Sequence, residues 1–268
     1  MRNKKVIQRV TKLVAGVSIG FLWPVTIQAS SLDVDSTGRV TVQQGEAQPV
    51  DPENPANPGD PGEGPSTKGA LRFDYVSSLD FGEVVISPTN REYPALAQQF
   101  KEPAIGPRGS FIQLSDHRTT STGWTLQVKQ EQAFTHESTE HGKNQLTGAT
   151  LSLDKVWANN HGTSTAPSVT RDPITLDSIG TAQTIATSEA GTGRGVWTIA
   201  FGGSKQAPVT IGNTLIPVKD AQGNPVLDEW SGKPAYHNHA ITLSVPDGTP
   251  IVPAEYQTTL TWILAALP

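Results

Sequence analysis

The feature that most limits how this chain can fold is an alternation repeated in three separate stretches. Near the end runs Tyr256-Gln-Thr-Thr-Leu-Thr-Trp-Ile-Leu264. Successive side chains of an extended strand point to opposite faces, so Leu260, Trp262 and Leu264 share one face and Thr259, Thr261 and Ile263 take the other. Far upstream, Gly123-Trp-Thr-Leu-Gln-Val-Lys129 places Trp124, Leu126 and Val128 together. Gly195-Val-Trp-Thr-Ile-Ala-Phe201 does the same with Trp197, Ile199 and Phe201. A period of two fits half-buried strands, so the three stretches carry matching apolar faces.

The rest of the chain agrees. From Gly69 onward short β-rich segments follow one another: 71–75, 81–86, 111–114, 124–128, 151–153, 174–176, 184–187, 196–201, 209–211, 241–245 and 258–264. Clusters of Gly, Pro, Asn and Asp separate them. With 25 Gly and 21 Pro in 268 residues, long helices are disfavoured, and residues 93–100 are the best short helical candidate. The expected class is all-β, a single antiparallel β-sandwich-like domain over residues 69–268.

Ahead of it lie two segments of different character. Residues 1–29 combine a basic head (Arg2, Lys4, Lys5, Arg9, Lys12), an apolar run over 13–27 and a small-residue site before Ser30. That is the pattern of a secretory signal peptide, and the run is short for a membrane span. Residues 30–68 are a polar tail followed by a Pro/Gly/acid-rich linker. The run Asp-Pro-Glu-Asn-Pro-Ala-Asn-Pro-Gly-Asp-Pro-Gly-Glu-Gly over 51–64 has almost nothing to bury, and the expectation is an extended, largely disordered spacer.

Charge and composition narrow the chemistry. Beyond residue 29 the chain holds 15 basic and 25 acidic residues, a net of −10. Such a chain is not steered toward nucleic acid or other polyanions. There is no cysteine, which removes disulfides, thiolate nucleophiles and thiolate metal sites; about 200 residues bury a core without them. No second apolar run and no sorting signal follows, so retention at a surface is expected to be non-covalent. His237-Asn-His239 places two imidazoles on one strand face, without a third ligand at metal-motif spacing. Gly191-Thr-Gly-Arg-Gly195 lacks a phosphate-loop lysine and reads as a tight turn into Trp197. No Gly-x-Ser-x-Gly elbow occurs, and Asp116, Asp154 and Glu255 show no pairing of the kind a glycosidase needs. A non-enzymatic protein without metal or cofactor is expected.

The ordered set of motifs resembles the WxL-domain family of Gram-positive cell-surface proteins. Phe73-Asp-Tyr-Val-Ser-Ser-Leu-Asp-Phe-Gly82 is similar to the family's opening, Leu146-Thr-Gly-Ala-Thr-Leu-Ser-Leu153 to its middle, and Trp124-Thr-Leu126 and Trp262-Ile-Leu264 to its paired signature. The end departs from it, since Ala265-Ala-Leu-Pro268 lacks the acid often found before a final Ala-Pro. The resemblance implies non-covalent attachment to the cell wall with peptidoglycan as ligand, and Trp124, Leu126, Trp262 and Leu264 as the matching binding positions. It also implies partner surface proteins. An alternative role is an adhesin or surface-complex subunit whose main ligand is a protein, of the host matrix or of the surface itself. Burial of the Trp-x-Leu faces decides between direct stacking on sugar rings and a role beneath a surface formed by their flanks.

Overall fold

A computed structural model describes residues 48–136 and 144–268. The signal-peptide reading and residues 30–47 of the polar tail lie outside the described residues. The described part is all-β, with fifteen antiparallel strands in one hairpin and three larger sheets.

Two four-stranded sheets and one five-stranded sheet enclose the core. The first sheet has the order β3 (Leu71–Val76), β5 (Ser110–Asp116), β12 (Gly195–Phe201), β8 (Val156–Asn159). The second runs β15 (Leu260–Ala266), β6 (Trp124–Gln130), β11 (Gln183–Ser188), β9 (Ser168–Val169). The third is β10 (Ile174–Leu176), β7 (Thr150–Leu153), β14 (Tyr236–Ser244), β13 (Leu215–Pro217), with β4 (Glu92–Leu96) also on β14. The inward residues of all three meet in one apolar cluster that includes Ile112, Leu114, Trp124, Leu126, Val128, Leu153, Ile185, Trp197, Ile199 and Ile241. The three distant alternating stretches thus meet in one core.

The helical expectation over 93–100 is corrected: its first half is strand β4, ending at Leu96. Pro94 suits a helix interior badly, and it sits opposite Thr242 where the β4–β14 register shifts. An edge strand at a bulge is where a sheet tolerates proline. Residues 81–86 and 209–211 also form no strand. Val85 and Val209 point into solvent, so β propensity there has no face to bury.

The disordered-spacer reading of residues 51–64 is corrected as well. β1 (Val50–Asp51) and β2 (Asn54–Pro58) form a hairpin. The missing apolar content is replaced by specific polar anchoring on the outer face of the first sheet. The Val50 amide donates to Gln113 Oε1 at 2.9 Å, and Gln113 Nε2 donates to the Gln48 carbonyl at 3.0 Å. Asn159 Nδ2 reaches the Pro52 carbonyl at 2.9 Å. Arg108 binds Asp51 through Nε at 2.7 Å and Nη2 at 2.8 Å, and contacts Glu53 at 3.2 Å. Glu53 in turn accepts from the Ser204 amide at 2.6 Å and hydroxyl at 2.5 Å. Gly59 lies so close to Phe100 and Ile105 that a side chain there meets both. Beneath this cover sits a second apolar cluster of Tyr75, Phe100, Ile105, Phe111, Trp157, Ala200 and Ala207.

Candidate functional site

Among the four positions expected to bind, the strands bring all together and then divide them by depth. β15 pairs with β6 without a break, Trp262 opposite Val128 and Leu264 opposite Leu126. Opposed residues of an antiparallel pair share a face, so the two Trp-x-Leu faces are one continuous surface. That surface points inward. Trp124 and Leu126 are wholly buried, while Trp262 and Leu264 are half-buried and pack against the core margin. The Trp262 ring lies 6.0 Å from Phe201.

The polar handles of the tryptophans show the same division. The Trp124 indole donates to the Gly193 carbonyl at 3.2 Å, and the Trp197 indole to the Arg194 carbonyl at 3.0 Å. One glycine-rich loop thus satisfies the buried N–H of both strands, which a buried indole requires. Gly193 has φ +60°, and a Cβ there collides with Ser188 and crowds Trp124 Nε1, so the loop closes over the indole only as glycine. The sequence marked residues 191–195 as a turn, and nothing in them announced this second task. The Trp262 indole N–H has no acceptor among the described residues and is not sealed from water. Of the three Trp-x-apolar strands, β15 alone keeps its aromatic polar group accessible.

The opposite face of the same sheet is hydrophilic. Thr125, Gln127 and Lys129 of β6 stand beside Ala265, Ile263 and Thr261 of β15 and beside Thr187 and Thr184 of β11. Gln127 Nε2 donates to Thr184 Oγ1 at 3.3 Å, Lys129 pairs with Glu131 at 3.0 Å, and the Thr261 hydroxyl donates to Glu131. Strands lie about 4.8 Å apart and same-face residues of one strand about 6.8 Å apart. The result is a patch of hydroxyl and amide groups beside Ile263 and Ala265, with a register shift in β11 between Thr184 and Ala186. The alternation in the sequence puts Thr259 and Thr261 on the face opposite Trp262; it does not reveal the contribution of Gln127, Thr184 and Thr187, because only the register brings β11 alongside β6.

β15 is fixed at both ends. Thr122 Oγ1 donates to the Leu267 carbonyl at 2.6 Å and the Leu267 amide to the Gly123 carbonyl at 3.0 Å. At the start, Gln130 Nε2 reaches Thr258 Oγ1 at 3.1 Å, and Thr258 Oγ1 reaches the Gln132 carbonyl at 2.5 Å.

The two imidazoles of β14 have ring centroids 6.4 Å apart. Burial and the neighbouring His239 hold the His237 pKa below its ordinary value. Among the described residues no group of three or more His, Cys, Asp or Glu is placed to hold a metal ion. Nor, among them, is any helix long and apolar enough to cross a membrane.

No curated protein and no solved structure matches the chain significantly. The family model described as WxL domain, surface cell wall-binding, matches residues 29–268. That span contains every strand described above, and it makes the chain a member of the WxL family of surface, cell-wall-binding domains.

Proposed function

We propose that the wall component recognised is peptidoglycan, and that it is met on the hydroxyl and amide face of the β15–β6–β11–β9 sheet. The observation that carries this reading is the division of labour within each strand. The Trp-x-Leu residues lie inward, where Trp124 and Leu126 fix the sheet rather than meet ligand. The alternate residues Thr125, Gln127, Thr184, Thr187 and Thr261 face outward. Saccharide hydroxyls and peptide amides exchange hydrogen bonds with such groups, and a rigid sheet presents them with little ordering cost. Trp262, at the rim with an open N–H, adds an aromatic surface from the same strand. Net negative charge favours a glycan or peptide over the phosphates of teichoic acid. In this reading the chain is exported from a Gram-positive cell with residues 1–29 removed, and acts as a wall-attached protein without catalysis.

The test is co-sedimentation of residues 30–268 with sacculi stripped of teichoic acid. Thr125→Val combined with Thr187→Val, and Trp262→Ala, are each expected to reduce the pelleted fraction while the circular dichroism spectrum stays that of wild type. Protein that remains in the supernatant with wild-type sequence refutes direct peptidoglycan binding. Retention by the threonine double variant moves the site off this face.

A second reading, a subunit whose main ligand is a protein, draws on the free edge of β15.

A further inference from the structure

We propose that the outer edge of β15 is a docking site for an extended polypeptide segment of a partner protein, which adds to the sheet as a fifth strand. This goes beyond wall binding and uses the strand's edge, not its outward face.

The orientation of the backbone follows from the ladder. The Thr259 carbonyl accepts from the Glu131 amide and the Leu267 amide donates to the Gly123 carbonyl, so odd-numbered residues of β15 bond to β6. By alternation, the N–H and C=O groups of Leu260, Trp262, Leu264 and Ala266 point the other way, and among the described residues no strand pairs with them. An open edge is a template for another strand, and folded proteins guard such edges with charge, proline, bulges, short length or a cover.

Among the described residues, the other edges of the three larger sheets carry guards. β3 is covered by Thr67, whose amide donates to the Phe73 carbonyl and whose hydroxyl accepts from the Phe73 amide, both at 2.9 Å. β8 ends at Asn159, tied to the Pro52 carbonyl. β9 has two residues and β10 three. β13 ends in Pro217, and β4 carries Pro94 and a register shift. β15 alone is seven residues long, in unbroken register, with neither charge nor proline in Leu-Thr-Trp-Ile-Leu-Ala-Ala. Its ends are pinned, so the edge is held ready and adds little ordering cost on binding.

The edge also specifies its occupant. Added residues share faces with those they oppose. On the inner side they meet the half-buried Trp262 and Leu264 at the core margin; on the other they meet Thr261 and Ile263. The fitting segment therefore alternates apolar and hydroxyl-bearing residues, lacks proline, and has no charge opposite the strand. Main-chain hydrogen bonds supply affinity and the alternation supplies specificity. A lone segment fits better than a second copy of this domain. β15 lies beside β3, and a second copy brings its own Thr67-covered β3 edge to the junction, where a single strand needs a width of about 4.8 Å.

The probe is a soluble peptide of alternating Val and Thr with a terminal Lys tag, added to 15N-labelled residues 30–268. In the free protein, amide exchange is expected to be fast at Leu260, Trp262 and Leu264 and slow at Thr261 and Ile263. The peptide is expected to slow the even-numbered set by at least tenfold. The same peptide N-methylated on its bonding edge is expected to leave them unchanged. Ala266→Pro, which removes an outward N–H at an exposed position and no bond to β6, is expected to weaken the effect at least tenfold while the wall-pelleting of the variant persists. Leu260→Pro, at the first residue of the strand, serves if Ala266→Pro fails to fold. Even-numbered amides that are protected in the free monomer, equal binding of the N-methylated peptide, or no effect of the unmodified peptide each overturn the proposal. Protection that appears only as protein concentration rises identifies a second copy as the occupant and overturns it too. Loss of wall pelleting in wild type refutes the peptidoglycan reading and leaves this one standing.

Discussion

Asp51→Ala tests whether the proline-rich segment is part of the domain or an appendage to it. Asp51 and Arg108 are 2% and 4% exposed, respectively, and their carboxylate–guanidinium contact is two-pronged, at 2.7 and 2.8 Å. Removing one partner of a buried pair leaves the other charge uncompensated, at a cost of about 3–5 kcal/mol. Glu53 at 3.2 Å and Gln206 Oε1 at 3.2 Å still contact the guanidinium, which places the expected loss near the lower end, about 3 kcal/mol. For a domain of this size each kcal/mol shifts the midpoint by about 2–4 °C, so Tm is expected to fall by about 6–12 °C. Replacing the whole set, Asp51→Leu and Glu53→Gln with Arg108→Met, is expected to recover most of the loss, because it leaves no buried charge without a partner. Urea unfolding followed by tryptophan fluorescence measures it, since Trp157 lies in the cluster beneath the hairpin. A loss under about 1 kcal/mol, the range of an exposed pair, refutes the view that residues 50–64 are integral to the fold.

Other outcomes follow from the same structure. Trp124→Ala is expected to cost about 3–5 kcal/mol, as for other fully buried aromatics, whereas Trp262→Ala, half-buried, is expected to cost less; equal losses in urea unfolding contradict the difference in depth. Gly193→Ala is expected to destabilise the domain and to red-shift tryptophan emission, because the loop carbonyl that holds the Trp124 indole is forced away; an unchanged spectrum contradicts this. Although burial alone raises it, the Asp116 pKa is held below the ordinary carboxylate value by hydrogen bonds from Arg118 and Ser121. The unfolded chain then takes up the proton first, so this stabilisation is complete above about pH 4 and is lost as pH falls further; Asp116→Asn is expected to flatten the acid limb of the stability profile. His237, lowered by burial and by His239, acts in a different window. The unfolded imidazole protonates near pH 6.5 while the folded one resists, so stability drops as pH falls from about 6.5, and His237→Gln removes that slope.

What the sequence revealed and what it hid divide along a physical line. Period-two patterns identify faces, and the faces of β6, β12 and β15 were legible because Trp124, Trp197 and Trp262 each recur with large apolar residues at a spacing of two. Burial depth was not legible, since it depends on which strand is central and which is an edge. Trp124 lies on a strand flanked on both sides, and Trp262 on one flanked on a single side, although their tripeptides are alike. The hairpin at 50–58 escaped for a different reason. Reading disorder from low hydrophobicity assumes that order needs apolar burial, but this segment is held by Gln113 and Asn159 of the sheet beneath it and by Arg108 just before β5, all remote in sequence. Its few charged residues are the informative ones, because Asp51 and Glu53 are the partners that Arg108 needs in order to be buried. The same logic separates the two roles proposed for β15. Side-chain alternation, which a sequence displays, sets the face that meets the wall. Backbone alternation, which no residue type records, sets the edge that is open to a partner. A strand can serve both at once, because its side chains and its peptide groups point in perpendicular directions.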